Sequence, residues 1–454
     1  MDPNRIPKPR RREIMAALRH GTVPSRGLEH YAVGLDRFAK TLERELADVA
    51  MGVGGFKAVR GDYGTGKTFF ARWVRHMAQQ QGFATAEVQI SETETPLHHM
   101  EKVYRRAVES LATKEWADGA FRALVDRWLY SLEEEVRSRP GFSGDDQVLA
   151  DAVGELLEGR LTEVSAINPQ FSAVLRTCHT ARVAQDAATA EGLLGWLMGQ
   201  PNVGADIKRS AGIKGELDHF AAGAFLRGLL EVLKQTGRKG LFLVLDEVET
   251  IQRVRADARE KSLNALRQLI DEIDKGRYPG LYLMITGTPA FYEGPSGVRK
   301  APALEQRLHV DFAADPKFDS ARAVQIRLLP FDEERLVEAG KRVREIYDAD
   351  DPQRLATQIS DDFVRALAKQ VAGKLGGKIG VAPRIFLRKL VQVMDQVDEH
   401  PEFDPVKHYK LDLQPAELNA DERQAAGIER TVDDIEIELK EPKGMKKEDE
   451  EPKT

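Results

Sequence analysis

An eight-residue glycine-rich stretch constrains this chain more than any other feature. It consists of Gly61, Asp62, Tyr63, Gly64, Thr65, Gly66, Lys67 and Thr68, and it fits the pattern G-x-x-x-x-G-K-[ST] without a mismatch. The glycines let the backbone turn tightly and aim several N–H groups at one anion. Lys67 adds a charge for the β- and γ-phosphates, and Thr68 offers a hydroxyl to Mg²⁺. The stretch predicts a Walker A loop that binds a nucleoside triphosphate.

The flanking sequence predicts the secondary structure that such a loop requires. Residues 55–60 predict a short strand that runs into the loop, and Phe69, Trp73 and Met77 recur at helical spacing after it. A helix that begins at the loop directs the positive end of its dipole at the same phosphates. The order strand, loop, helix favours a phosphate site over a glycine-rich surface turn.

A second motif lies far downstream, where five apolar residues run into two carboxylates. Residues 241–245 predict a strand buried on both faces, and Asp246 and Glu247 follow at its carboxyl end. Open α/β sheets bind their ligands at that end of the strands. This Walker B motif assigns Asp246 to Mg²⁺ and Glu247 to the attacking water, as its base or as the acceptor that orients it.

The next predicted strand, at residues 280–285, ends in hydroxyl side chains. Thr286 or Thr288 could hydrogen-bond the γ-phosphate or the attacking water, the role named sensor 1. An ordinary Thr-Gly-Thr-Pro turn also explains these two residues, so both interpretations stay open.

Three arginines are candidates for contact with phosphate. Arg307, or Arg299 as the second choice, precedes a predicted last strand and could reach a neighbouring subunit's nucleotide as an arginine finger. Arg384 lies in the first turn of a predicted helix, where a cation is slightly disfavoured unless an anion binds nearby. It is the candidate for sensor 2. For each of the three, an ordinary structural arginine is the alternative.

Residues 1–45 predict a basic arm followed by helices on the side of the nucleotide base. Val23 and Pro24 are candidates for apolar contact with the base. The arm precedes a short predicted helix at residues 14–18, and its basic residues are Arg5, Lys8, Arg10, Arg11 and Arg12. It could contact double-stranded DNA, or it could be a solvated tail, because no aromatic residue is interleaved with its charges.

The hydrophobic pattern divides the rest of the chain into five segments. Residues 46–96 and 239–330 predict the two parts of an α/β core with a parallel sheet flanked by helices. Between them, residues 97–238 have helical periodicity and predict a large helical insertion. Residues 331–415 predict a helical lid domain, and the charged residues 416–454 predict a largely disordered tail.

Composition limits the location and the partners. The net charge of −6 argues against a protein that coats nucleic acid, although it is compatible with a local basic face. The single cysteine, Cys178, cannot form an intramolecular disulfide, which fits a reducing compartment. The sequence has no apolar run of about 18 residues and no signal-peptide pattern at its start. We therefore expect a cytoplasmic protein without a membrane span.

The motifs and their order resemble those of AAA+ ATPases of the origin-recognition and Cdc6-like kind. A closer resemblance, to the BrxD ATP-binding proteins of bacteriophage exclusion (BREX) defence systems, covers roughly residues 5–440. It depends on Arg11-Arg12-Glu13-Ile14, on residues 17–24 and 32–36, and on the Walker A loop. The N-terminal blocks are more specific to the family than the Walker motifs, which many ATPases share.

The resemblance implies an AAA+ P-loop core, ATP and Mg²⁺ as ligands, and other BREX proteins as partners in phage defence. We expect an ATPase that assembles as a homo-oligomer through its nucleotide sites and acts on DNA or on a DNA-bound complex. The alternative is a nucleotide-gated scaffold with slow or negligible turnover. The long helical insertion is a departure from the common AAA+ architecture, and it could block or remodel a subunit interface.

Overall fold

The structure is a computed structural model that describes residues 6–142, 146–376, 383–418, 422, 423, 426 and 427, without the side chains of residues 146 and 147. The predicted charged tail lies almost entirely outside the described residues. One parallel sheet forms the centre of the molecule. Its strands are β1 (Gly55–Arg60), β2 (Ala84–Gln89), β3 (Leu241–Asp246), β4 (Leu281–Gly287) and β5 (Gln325–Arg327). They are arranged in the order β2-β3-β4-β1-β5, with every pairing parallel.

This strand order brings the two Walker motifs to one edge of the sheet. β4 lies between β1, which leads into the phosphate loop, and β3, which ends at the Walker B acids. Val59 of β1 is level with Thr286 of β4, and Leu245 of β3 is level with Ile285. Asp246 and Thr286 therefore lie side by side at the carboxyl ends of the adjacent strands β3 and β4.

Helices surround the sheet and, together with the loops that join them, form the rest of the described chain. They are α1 (Lys8–Arg19), α2 (Asp36–Ala50), α3 (Lys67–Gln80), α4 (Met100–Glu109), α5 (Ala120–Arg137), α6 (Asp146–Ile167), α7 (Pro169–Val183), α8 (Ala187–Leu197), α9 (Ala205–Ser210), α10 (Ala222–Gln235), α11 (Ala256–Asp274), α12 (Pro289–Glu293), α13 (Pro302–Leu308), α14 (Glu333–Ile346), α15 (Pro352–Gln358), α16 (Asp361–Lys374), α17 (Pro383–Glu399) and α18 (Pro405–His408). Within the part of the chain that the structure describes, no helix combines the length and the apolarity needed to cross a bilayer.

Both faces of the sheet are covered, as the continuous apolar run of β3 predicts. Leu241, Leu243 and Leu245 contribute to one hydrophobic core, and Phe242 and Val244 contribute to another on the opposite face. The alternation follows from the strand geometry, in which successive side chains point to opposite faces. α2 and α3 cover the second face, while α11 and the helices between β2 and β3 cover the first.

The helices between β2 and β3 extend the core of the sheet and do not form a separate core. Buried residues of α4 to α10 belong to the same hydrophobic cluster as the first face of the sheet. Phe225 of α10 lies at the centre of an aromatic group, with ring centroids 5.8 Å from Tyr104, 5.5 Å from Phe171 and 5.1 Å from Trp196. Unfolding this region would therefore expose one face of the sheet.

α1 packs on the C-terminal helices and shares a third hydrophobic core with α14 to α17. It begins at Lys8, six residues before the predicted start at residue 14, because Pro7 at the N-cap is compatible with a helix start and the basic residues themselves favour helix. Lys8 and Arg12 lie 3.4 and 3.8 Å from the carboxylate of Asp348. The predicted arm is thus helical from Lys8 onward, and its residue Arg5 lies outside the described residues.

The phosphate-loop helix α3 forms as the helical spacing predicts, and it buries the face next to the one that carries Phe69. Phe70, Val74 and Ala78 are fully buried against the sheet, whereas Trp73 and Met77 are only partly buried. Two sets of apolar residues with the same helical spacing occur in this helix, offset by one residue. Only the packing against the sheet decides which set is inside.

Candidate functional site

A cavity of about 530 Å³ lies where the sheet edge, the N-terminal segment and the C-terminal helices meet. The phosphate loop from Tyr63 to Thr68 lines one wall, and Glu247 lies beside it. Arg335 and Arg384 of the C-terminal helices also line the cavity. This volume is typical of pockets that hold small molecules of nucleotide size.

The geometry of the phosphate loop explains its glycines. Gly64 and Gly66 have φ angles of 80° and 86°, in the left-handed region that favours glycine. A Cβ atom on Gly61 would lie 2.4 Å from Oγ1 of Thr65. That hydroxyl donates a hydrogen bond of 2.8 Å to the carbonyl of Asp62 and so braces the turn. The loop then enters α3 at Lys67.

Lys67 is folded back on its own loop. Its Nζ donates hydrogen bonds to the carbonyl oxygens of Gly61 and Asp62, at 3.0 and 3.3 Å. The ammonium also lies 4.9 Å from the centre of the Tyr63 ring. Its side chain is 8% exposed, so its charge is concentrated in the cavity wall where a phosphate would lie.

Asp246 links the phosphate loop to the neighbouring strand. The hydroxyl of Thr68 donates a hydrogen bond of 2.8 Å to Oδ2 of Asp246, and the hydroxyl of Thr286 donates to Oδ1. The backbone N–H of Glu247 in turn donates to Oγ1 of Thr286, at 3.1 Å. Burial raises the pKa of Asp246, and the two hydroxyl donors oppose that rise. The structure thus brings together three predicted site residues, Thr68, Asp246 and Thr286, that lie far apart in sequence.

The oxygens of Thr68 and Asp246 fit the ligand set of a Mg²⁺ ion bound with a nucleotide. Adjacent ligands of octahedral Mg²⁺, each 2.0–2.1 Å from the metal, lie about 2.9 Å apart. The two oxygens are 2.8 Å apart. Among the described residues no group of three or more His, Cys, Asp or Glu side chains could form a metal cage. The donors therefore suit a metal that completes its shell with phosphate and water.

Glu247 is held in a constrained conformation beside the phosphate loop. Its φ angle is 58°, which is rare for a residue other than glycine and is often found at functional sites. The amide of Gln89, at the end of β2, donates a hydrogen bond of 2.9 Å to Oε2 of Glu247. Gln89 was not predicted as a site residue. Its proximity to Glu247 follows only from the register of β2 on β3, in which Gln89 is level with Asp246.

An apolar wall on the N-terminal side of the cavity suits a nucleotide base. Tyr31 and Phe69 both line it and meet edge to face with ring centroids 5.2 Å apart. Of the two candidates for contact with the base, Val23 lines the cavity, whereas Pro24 is buried and lies outside the cavity lining. Arg72 fixes this segment by donating a hydrogen bond of 2.6 Å to the carbonyl of Val23. Successive side chains of an extended segment point to opposite sides, which separates Val23 from Pro24.

The predicted sensor 2 arginine lines the cavity but is already paired. Nε of Arg384 donates to Oε1 of Glu422 at 2.9 Å, and its Nη2 donates to the carbonyl of Glu417 at 2.6 Å. Arg335 of α14, which was not predicted, lines the cavity as well. No motif marks Arg335 in the sequence, because its place in the cavity lining depends on how α14 packs on the core.

The remaining predicted residues, Thr288, Arg307 and Arg299, are not among the described residues that line the cavity. Thr288 is buried and directly precedes α12, so it does not share the position of Thr286. Nε of Arg307 pairs with Asp271 of α11 at 2.9 Å. Arg299 lies 3.9 Å from Glu305. Neither arginine reaches the cavity of its own chain, so a role for either requires a neighbouring subunit.

The parallel sheet, the phosphate loop at the end of β1 and the acids at the end of β3 define a P-loop nucleotide-binding protein. A model of the family described as "BREX system ATP-binding protein BrxC/D" matches residues 6–413. The chain belongs to this family, which confirms the resemblance to the ATP-binding proteins of BREX systems. No protein with a curated description matches the chain.

Proposed function

We propose that this protein hydrolyses ATP with the help of Mg²⁺ and that the hydrolytic cycle serves a BREX defence assembly. The observation that carries the proposal is the contact between Thr68 and Asp246, with Glu247 on the cavity wall beside them. Binding a nucleotide requires only the loop and an apolar base pocket. A carboxylate for the metal and a second one for water are the groups that hydrolysis adds.

Each of these side chains has a role in the proposed reaction. Lys67 would release the carbonyl oxygens of its loop and bind the β- and γ-phosphates instead. Thr68 and Asp246 would hold the metal. When bound, Mg²⁺ neutralises charge on the phosphates. Thr286 fixes both the carboxylate of Asp246 and the backbone of Glu247. Glu247 then accepts a hydrogen bond or a proton from the attacking water.

The test is a comparison of Glu247→Gln with Lys67→Ala. We expect Glu247→Gln to keep its affinity for ATP and to lose about 100-fold or more in kcat, because it removes only the acceptor for water. Lys67→Ala should raise the Kd for ATP by about tenfold or more, because it removes a charge that contacts phosphate. Glu260→Gln, on the exposed surface of α11, is the matched control and should behave like the parent. Equal turnover by Glu247→Gln and the parent would remove Glu247 from this role.

One contact favours a second candidate function, a nucleotide-gated scaffold with slow turnover. The hydrogen bond from Gln89 occupies an oxygen of Glu247 that hydrolysis would need. A partner that breaks this bond would release the carboxylate and speed the reaction. ATPase rates with and without double-stranded DNA, measured alongside the mass of the particle with ATP, separate the two candidates. Stimulation by DNA together with assembly supports the ATPase that acts on DNA, and the absence of both supports the scaffold.

We further propose that the protein acts as a homo-oligomer on DNA or on a DNA-bound complex. The positions of Arg307 and Arg299 outside their own cavity support a contact in trans, as an arginine finger requires. The exposed side chains of Lys8 and Arg12 on α1 support a local basic surface. Affinity for DNA through these charges should fall steeply with added salt, and affinity that does not change with salt would exclude them.

A further inference from the structure

One carboxylate that lines the cavity, Glu249, has no part in the reaction proposed above. Its side chain is 4% exposed, and it lines the cavity beside the phosphate loop. Neither of its carboxylate oxygens has a hydrogen-bond partner among the residues that the structure describes. A buried carboxylate without donors is unfavourable unless a nearby charge compensates it.

The compensating charge is the ammonium of Lys67. Its Nζ lies 3.9 Å from Oε1 of Glu249, beyond hydrogen-bond range but close enough for a strong electrostatic interaction. The other charges that act on Glu249 are the carboxylates of Asp246 and Glu247, which are repulsive. Burial raises the pKa of Glu249, and Lys67 opposes that rise. The charged form of Glu249 therefore depends on the nearby ammonium of Lys67.

We propose that Glu249 is a positioning residue that acts through Lys67 and weakens the hold of the loop on phosphate. In the structure Glu249 is the counter-ion of the lysine. When a nucleotide enters, Lys67 turns to the phosphates, and a buried negative charge remains next to them. The resulting repulsion increases with the negative charge of the ligand, so it is largest for ATP, smaller for ADP and absent for adenosine.

The inference rests on nucleotide binding by the Walker A loop and adds a control of affinity to the proposed function. A carboxylate in this place limits how tightly the charged ligand is held. Because Glu249 lies close to the lysine and hydrogen-bonds to no described side chain, its effect is carried by charge and not by support of the fold. Two variants that differ only in charge can therefore reveal it.

The experiment is calorimetric titration of the full chain with adenosine, ADP and ATP. Glu249→Gln removes the charge and keeps the shape, so the Kd for ATP should fall about tenfold and that for ADP about threefold, with no change for adenosine. Glu249→Asp keeps the charge and should stay close to the parent for all three ligands. The matched control is Glu231→Gln in α10, which removes another buried carboxylate far from the cavity.

Each outcome decides the inference. Unchanged or weaker binding of ATP by Glu249→Gln would overturn it, and so would an equal change for all three ligands, since that is the result of altered structure. If Glu249→Gln does not fold, Glu249→Ala removes the same charge and should show the same order of effects. A parent that binds ATP without hydrolysing it would remove the proposed function and leave this inference intact. A parent that binds no ATP would overturn both.

Discussion

Gly61 illustrates how single residues set the geometry of the phosphate site. A Cβ atom at this position would meet Thr65 of the same loop and, at 3.4 Å, Leu328 after the last strand. A methyl group there would push against the hydroxyl that braces the turn. The effect would be local, since the loop lies at the surface of the cavity and contributes little to the hydrophobic cores.

We expect Gly61→Ala to raise the Kd for ATP by about tenfold or more while changing the free energy of unfolding by less than about 1 kcal/mol. Isothermal titration and urea denaturation measure the two quantities. Gly159→Ala in α6 is the matched control, because none of the described atoms lies within 4 Å of a Cβ at that position. It should leave the Kd unchanged and stabilise the fold by about 0.5–1 kcal/mol. Unchanged ATP binding by Gly61→Ala would show that the loop can relax around the methyl group.

At the scale of elements, the long helical region between β2 and β3 is integrated with the sheet. Its buried residues and the first face of the sheet belong to a single core, and α4 packs directly on β2. A region with its own core could unfold by itself, whereas one that shares a core cannot do so without exposing the sheet. The helices therefore support the strands that carry the Walker residues.

Phe225→Ala should destabilise the protein by about 3–5 kcal/mol, because it removes the central ring of the aromatic group. We expect urea denaturation to remain a single transition for the helices of the insertion and the sheet together. Phe220→Ala is the matched control: this side chain is 91% exposed, and its removal should change stability by less than about 0.5 kcal/mol. A separate early transition in Phe225→Ala would contradict the shared core.

At the scale of the whole molecule, the cavity lies between parts of the chain that belong to different hydrophobic cores. Phe70 and the phosphate loop belong to the sheet, whereas Arg335 and Leu387 line the cavity from the cluster that α1 forms with α14 to α17. A ligand that contacts both sides favours the arrangement that brings them together. A nucleotide in this cavity would therefore favour the arrangement in which the C-terminal helices sit close to the phosphate loop.

If Arg307 acts on a neighbouring subunit, defects in Arg307 and in Lys67 should complement each other. A Lys67→Ala subunit still carries the arginine, and an Arg307→Ala subunit still has a complete nucleotide site, so their mixture should regain ATPase activity. In the control mixture of Lys67→Ala and Glu247→Gln, each substitution damages the nucleotide site of the subunit that carries it. No complete site can form, so this mixture should regain no ATPase activity. The measurement is the steady-state ATPase rate over a series of mixing ratios. A rate that never exceeds the sum of the separate variants would exclude Arg307 as a finger in trans.

The family and the chemistry of the phosphate loop follow from the sequence because both depend on residue types at fixed local spacing. The loop residues, Asp246 and Glu247 are recognisable in this way, and so is the buried strand that precedes the acids. In each case the evidence lies within a few residues of the feature itself.

Tertiary structure alone decided which distant side chains meet those motifs. Gln89 reaches Glu247 because of strand register, Arg335 enters the cavity because α14 docks there, and Glu249 matters because a lysine from a much earlier part of the chain lies 3.9 Å away. Helix α3 likewise has two apolar faces, and its packing against the sheet selects the one that includes Phe70. Residue types at fixed local spacing determine which chemical groups a motif offers. Contacts between distant segments depend instead on the packing of the whole chain.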